Sequence, residues 1–114
     1  MVTIAQIMQY MRANNHIGHS NPITAYLLAD HFNISDNGVE VGIRNIIRDA
    51  INNGELIGSN NKGFFLIDSI NDLDYYLNSL ESRAHEIINR RNNLINNWNN
   101  STNINTTKQI LTIQ

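Results

Sequence analysis

The sequence predicts a mainly α-helical chain with one small β-hairpin and a long C-terminal helix. Three features of its 114 residues carry that expectation. Apolar residues recur at helical spacing in three stretches ahead of Gly54. Two short apolar runs then flank a turn rich in glycine and asparagine, the pattern of a hairpin. From Ile70 apolar residues return at alternating steps of three and four over about four heptads.

A chain of this length suits one domain, and its 41% apolar content is enough to fill a single core. The absence of cysteine excludes disulfides, thiolate zinc sites and cysteine nucleophiles, and fits a reducing, intracellular compartment. The start, MVTIAQIMQYMR, lacks a basic leader followed by an apolar run and is not expected to be a signal peptide. No stretch approaches the roughly 18 apolar residues of a membrane span. A cytoplasmic protein with no membrane partner is expected, and the sequon Asn100-Ser101-Thr102 is read as incidental.

The first helix is expected from Thr3, a capping residue, to about Ala13, with Ile4, Ile7, Met8 and Met11 on one face. A loop with Gly18 as breaker follows. Asn21-Pro22 reads as a cap and first helical residue, so a second helix is expected from there to Phe32, burying Ile23, Leu27, Leu28 and Phe32. The third is expected from about Asn37 to Asn53, capped by Ser35, Asp36 or Asn37, with Val39, Ile43, Ile46, Ile47 and Ala50 inward and Gly54 closing its end. Leu56-Ile57 and Phe64–Ile67 are the hairpin strands, joined through Gly58–Gly63. Ser69 and Asp72 form a variant capping pattern that opens the last helix, expected to end near Trp98.

Helices two and three are linked only by Asn33-Ile34-Ser35-Asp36, with small Ala29 where helices approach and Ile34 as an apolar plug. That is the make-up of a helix-turn-helix, and the hairpin supplies a wing. The stretch PITAYLLADHFNISDNGVEVGIRNIIRDAINNGELIGSNNKGFFLI resembles winged helix-turn-helix domains, most similarly small ones of phages and other mobile elements, and IGSNNKGFF resembles their wing. The resemblance spans roughly Thr3 to Ile67. It implies double-stranded DNA as partner, read by the third helix in the major groove. Three parts are expected: a winged domain over 1–68, a long amphipathic or coiled-coil helix over 69–98, and a mobile tail over 99–114.

At about 100° per residue, the outward face of the third helix carries Val41, Arg44, Asn45, Arg48 and Asn52. Arginine can donate two hydrogen bonds to guanine, asparagine can pair with adenine, and a valine can meet a thymine methyl. Asn60, Asn61 and Lys62 lie at the hairpin tip, where the resemblance implies contact with backbone or minor groove. The plainer alternative is that the arginines only pair with Glu40, Asp49 or Asn52. Eight basic residues against ten acidic ones give a net charge of −2, so binding is expected to be modest or dimer-dependent.

Leu73, Leu77, Leu80, Ala84, Ile87 and Leu94 form the core of the heptad seam, with Trp98 at its end and Arg91 as its polar exception. A homodimer is expected through this seam, although a different partner helix fits the same spacing. Tyr75 and Tyr76 are placed to pack on the preceding domain. No cofactor, metal or enzymatic role is expected. His16 and His19 are three apart, in a loop with no carboxylate or third ligand expected nearby, no glycine loop suits a phosphate, and no Ser/His/Asp set or pair of carboxylates stands out. The functional expectation is a sequence-specific, dimeric DNA-binding regulator of transcription of phage or mobile-element type, working in the host cytoplasm. The rival is a winged protein-interaction module docking on a host or partner protein without DNA.

Overall fold

The computed structural model describes residues 2–34, 39–102, 104 and 106–112, and the backbone alone of Val39. The caps expected at Ser35, Asp36 or Asn37 and the inward placing of the Val39 side chain lie outside the described residues. Two compact units are formed, 1–76 and 77–114. Among the described residues are four helices, α1 (Ile4–Ala13), α2 (Ala25–His31), α3 (Val39–Asn52) and α4 (Ile70–Ser101). Strands β1 (Ile57–Asn60) and β2 (Gly63–Leu66) make an antiparallel hairpin. The chain is therefore mainly helical with one hairpin and a long last helix. None of these helices is long and apolar enough to cross a membrane.

Helix α1 starts in a capping box. The Thr3 hydroxyl accepts from Gln6 N at 3.3 Å, while Gln6 Oε1 accepts from Thr3 N at 2.9 Å. All three helices of the first unit then close alike. Their last carbonyls are capped by a 6→1 and a 5→2 hydrogen bond around a left-handed residue: Asn15 (φ 59°), Asn33 (φ 54°) and Gly54 (φ 101°). The 6→1 bonds are His16 N to Met11 O at 2.8 Å, Ile34 N to Ala29 O at 3.0 Å and Glu55 N to Ala50 O at 3.0 Å. Asparagine tolerates this conformation better than other side-chain-bearing residues. Two of the many asparagines thus have a structural reason.

Helix α2 begins later than the Asn21-Pro22 signal predicts. Thr24 is its cap, accepting from Leu27 N at 3.1 Å. Ile23 is held instead against the sheet: its N–H donates to Phe64 O and its carbonyl accepts from Phe64 N, both at 2.8 Å. Gly18 N and His16 O pair with Leu66 in the same way, at 2.8 and 2.9 Å. The outer edge of β2 is thereby covered, and the two main-chain bonds to Ile23 outweigh a local preference for starting the helix at proline. A Cβ at Gly63 would collide with the Ile23 carbonyl, which is why this position is glycine. The later start also rotates the buried face of α2. Ala25, Leu28 and Ala29 are buried, and Leu27, expected inside, is 52% exposed.

The core joins Ile7 and Met11 of α1, Leu28 and Ala29 of α2, Ile43, Ile47 and Ala50 of α3, and Ile57 and Leu66 of the hairpin. Ile34, in the link between α2 and α3, packs against it as expected. The hairpin turn is tighter than the glycine pattern suggests. Gly58 and Gly63 belong to the strands, and Asn60 faces Gly63 across a turn of Asn61 and Lys62.

The first turns of α4 belong to this first unit. The Ser69 hydroxyl accepts from Asp72 N at 3.2 Å and donates to Asp72 Oδ2 at 3.0 Å, forming the expected cap. Tyr75 stacks on His19 at 3.9 Å, and Tyr76 meets Phe65 edge-on at 5.8 Å, so both tyrosines pack on the domain. Asp72 also accepts from His19 Nδ1 at 2.5 Å and from His19 N at 3.2 Å. The expectation that His19 has no carboxylate nearby is thereby corrected. The pair is 53 residues apart in sequence, beyond the reach of a spacing rule. Among the described residues no third His, Cys, Asp or Glu joins them as a metal-holding group.

These contacts, the His19 side chain first, then the His19 and Ser69 donors, hold the Asp72 carboxyl below the ordinary value of 3.8. A carboxyl lowered on folding stabilises the native state above its unfolded value, and that gain disappears as pH falls through the lowered folded value. Asp72→Asn is therefore expected to be less stable than the parent near neutrality, and to converge with it only as pH falls below 3.8 and through the lowered folded value. Thermal unfolding at a series of pH values checks this. A constant difference down to the acid limit would assign the effect to packing.

The second unit is the remainder of α4 and the segment after it. The helix continues past the expected end at Trp98, to Ser101. The stretch expected as a mobile tail makes specific bonds where it is described. Arg91 Nη1 donates to Gln109 O at 2.8 Å. The Asn92 side chain donates to Leu111 O at 2.7 Å and accepts from Leu111 N at 3.0 Å.

Candidate nucleic-acid interface

Helix α3 buries Ile43, Ile47 and Ala50, and its 3.6-residue period turns Arg44, Asn45, Arg48 and Asn52 outward. All four are exposed, and Val41 is 56% exposed. An apolar side chain left that open contributes nothing to the core and is available to a partner.

Both arginines have the acidic neighbours that the plainer alternative anticipates. Arg44 Nη2 is 3.5 Å from Glu40, and Arg48 Nη2 is 3.4 Å from Asp49. The four side chains are between 49% and 66% exposed. Pairs that long and that wet are worth at most about 1 kcal/mol. They hold the guanidinium groups loosely and leave them free to exchange partners. The Arg44 guanidinium also lies 5.9 Å from the centre of the Phe64 ring, a contact that steers it toward the hairpin.

Arg44 and the hairpin tip are brought together. Arg44, Asn60, Asn61 and Lys62 line one polar cavity of about 180 Å³ with Thr24, Ala25, Ser59, Gly63 and Phe64. Arg44, Asn45, Arg48 and Asn52 border a second, shallower depression of about 320 Å³ with Ile47, Ile51 and Phe64. Arg44 and Phe64 are common to both. Val41 lines neither and stands apart from this cluster.

Asn60 has a structural duty. Its carbonyl oxygen accepts from Lys62 N at 2.9 Å and its amide donates to His19 O at 3.2 Å. It shapes the turn that presents Asn61 and Lys62, both exposed. His31 packs against Tyr10, with ring centroids 3.7 Å apart. Thr24 and Phe64 escaped sequence reasoning. Thr24 was masked by the stronger-looking cap at Asn21. Phe64 reads only as a strand residue, and its place beside Arg44 depends on hairpin register.

The cluster offers two bidentate donors, four side-chain amides and one ammonium on a half-open surface. Such groups suit planar acceptors and phosphate oxygens. No family model matches the chain, and neither does any curated protein or solved structure.

Proposed function

We propose that this chain is a winged helix-turn-helix protein that binds double-stranded DNA, with α3 as the reading helix and the β1–β2 hairpin as the wing. The observation that carries the reading is the exposed Arg44-Asn45-Arg48 face of α3, continuous through Arg44 with the tip residues Asn61 and Lys62. Arg44, Asn45 and Arg48 read base edges, with Val41 against a thymine methyl, and Lys62 holds a phosphate. Two such heads, joined through α4, act as a cytoplasmic regulator of the phage or mobile-element type. Because the net charge is −2, binding is modest per head and gains from dimerisation.

A salt-dependent mobility-shift series on the full chain, with random and genomic duplexes, tests this. Binding that weakens as salt rises and prefers a subset of duplexes is expected. Lys62→Ala should weaken all sequences alike and reduce the log-log salt slope by about one unit, as loss of one phosphate contact does. An unchanged slope with altered sequence preference would move Lys62 to a base edge.

A second reading is a protein-docking module. Tyr26 and Leu27 on α2, at 60% and 52% exposure, favour it, because apolar side chains that open suit a protein surface better than phosphates. No duplex binding even at low salt would select this reading.

A further inference from the structure

Beyond the seam residues, α4 carries Ile88 and Ile95 on the flank beside Ala84, Ile87, Arg91 and Leu94. That addition makes the apolar stripe wider than a two-stranded coiled coil needs. Wide stripes are ordinarily covered by more than one neighbouring helix. Here part of the stripe is already covered. Ile88, Arg91, Asn92, Ile95 and Asn99 are half-buried and follow one another at helical spacing, whereas Ile87 and Leu94 are 60% and 64% exposed.

The half-buried side is the one that the C-terminal segment meets. Asn92 pairs with Leu111 through both ends of its amide, as a neighbouring strand would, and Arg91 donates to Gln109 O. Trp98 Nε1 donates to Ile104 O nearer the helix end. Arg91, the polar break in the seam, is thus drawn to the segment rather than left to point at a second helix.

We propose that the C-terminal segment around Gln109–Leu111 is a strap that closes the Ile88/Ile95 flank of α4 and so limits the open seam to one second copy of this chain. The inference rests on the dimer reading. It adds that the helix alone would assemble further, and that this chain's own Gln109–Leu111 stretch prevents it.

The test uses the full chain with Asn92→Ala, which removes both bonds to Leu111 and leaves every seam residue in place. Light scattering at several concentrations should give a dimer for the parent and a mass rising toward about three or four chains for the variant. The Leu111 amide should exchange with solvent faster in the variant. If the variant remains a dimer, the strap does not set the assembly state, while the dimer reading stands. Equal exchange at Leu111 in both proteins would overturn the strap itself. A monomeric parent would overturn both readings.

Discussion

Arg44→Ala and Arg48→Ala are each expected to weaken specific duplex binding by about 1–3 kcal/mol, roughly 5- to 150-fold, while leaving the fold intact. The fold should tolerate the changes because each arginine is exposed and its ion pair is long, at 3.5 Å and 3.4 Å. Losing such a pair costs well under the binding effect. The binding effect is larger because a guanidinium forms two parallel hydrogen bonds to guanine. Charge and geometry separate in Arg44→Lys, which keeps the positive charge but loses the planar fork and the guanidinium contact over Phe64. That variant should keep its salt slope and lose sequence preference. Titrations at two salt concentrations, with circular dichroism as the folding control, decide the matter. If both alanine variants bind like the parent, α3 is not the reading helix. If each lowers only the salt slope, the two arginines hold phosphates and sequence is read elsewhere.

What could be read in the sequence follows how local each feature is. The inward faces of α1 and α3 follow from period alone, so Ile7, Met11, Ile43, Ile47 and Ala50 are buried as expected. The outward Arg44-Asn45-Arg48 face follows from the same period. The start of α2 was misread because a local cap signal at Asn21-Pro22 competed with main-chain pairing between Ile23 and Phe64, and pairing with a distant strand leaves no local pattern. Asn15 and Asn33 hold the left-handed closures of α1 and α2, a role not assigned to them on sequence alone. The signal was available, since asparagine just past a helix end is a known substitute for glycine there. The joining of Arg44 to Lys62 around one cavity was not legible, because it depends on where the hairpin folds back. Nor was the clasp of Asp72 by His19, made by residues with no shared periodicity.

The largest expected effect concerns the seam of α4. Ile87→Glu combined with Leu94→Glu should abolish self-association, weakening it at least 100-fold. Both side chains are more than half exposed in the single chain, at 60% and 64%, so replacing them costs that chain little. A lone helix of this kind gains most of its stability from packing an apolar face, and an open stripe of this length is unusual on a monomer. In a symmetric dimer each substitution occurs twice. Each copy forfeits about 1.5–3 kcal/mol of apolar burial and adds the cost of a carboxylate brought out of water. Asn89→Glu combined with Asn96→Glu, both exposed and off the seam, adds the same charge and should leave the dimer unchanged. The variants are compared by light scattering at tens of micromolar, with duplex titrations alongside. Loss of the dimer together with weaker duplex binding would support two linked heads. A dimer that survives the double substitution would move the interface to the first unit. A parent that is already monomeric at these concentrations would leave the seam to a different partner helix.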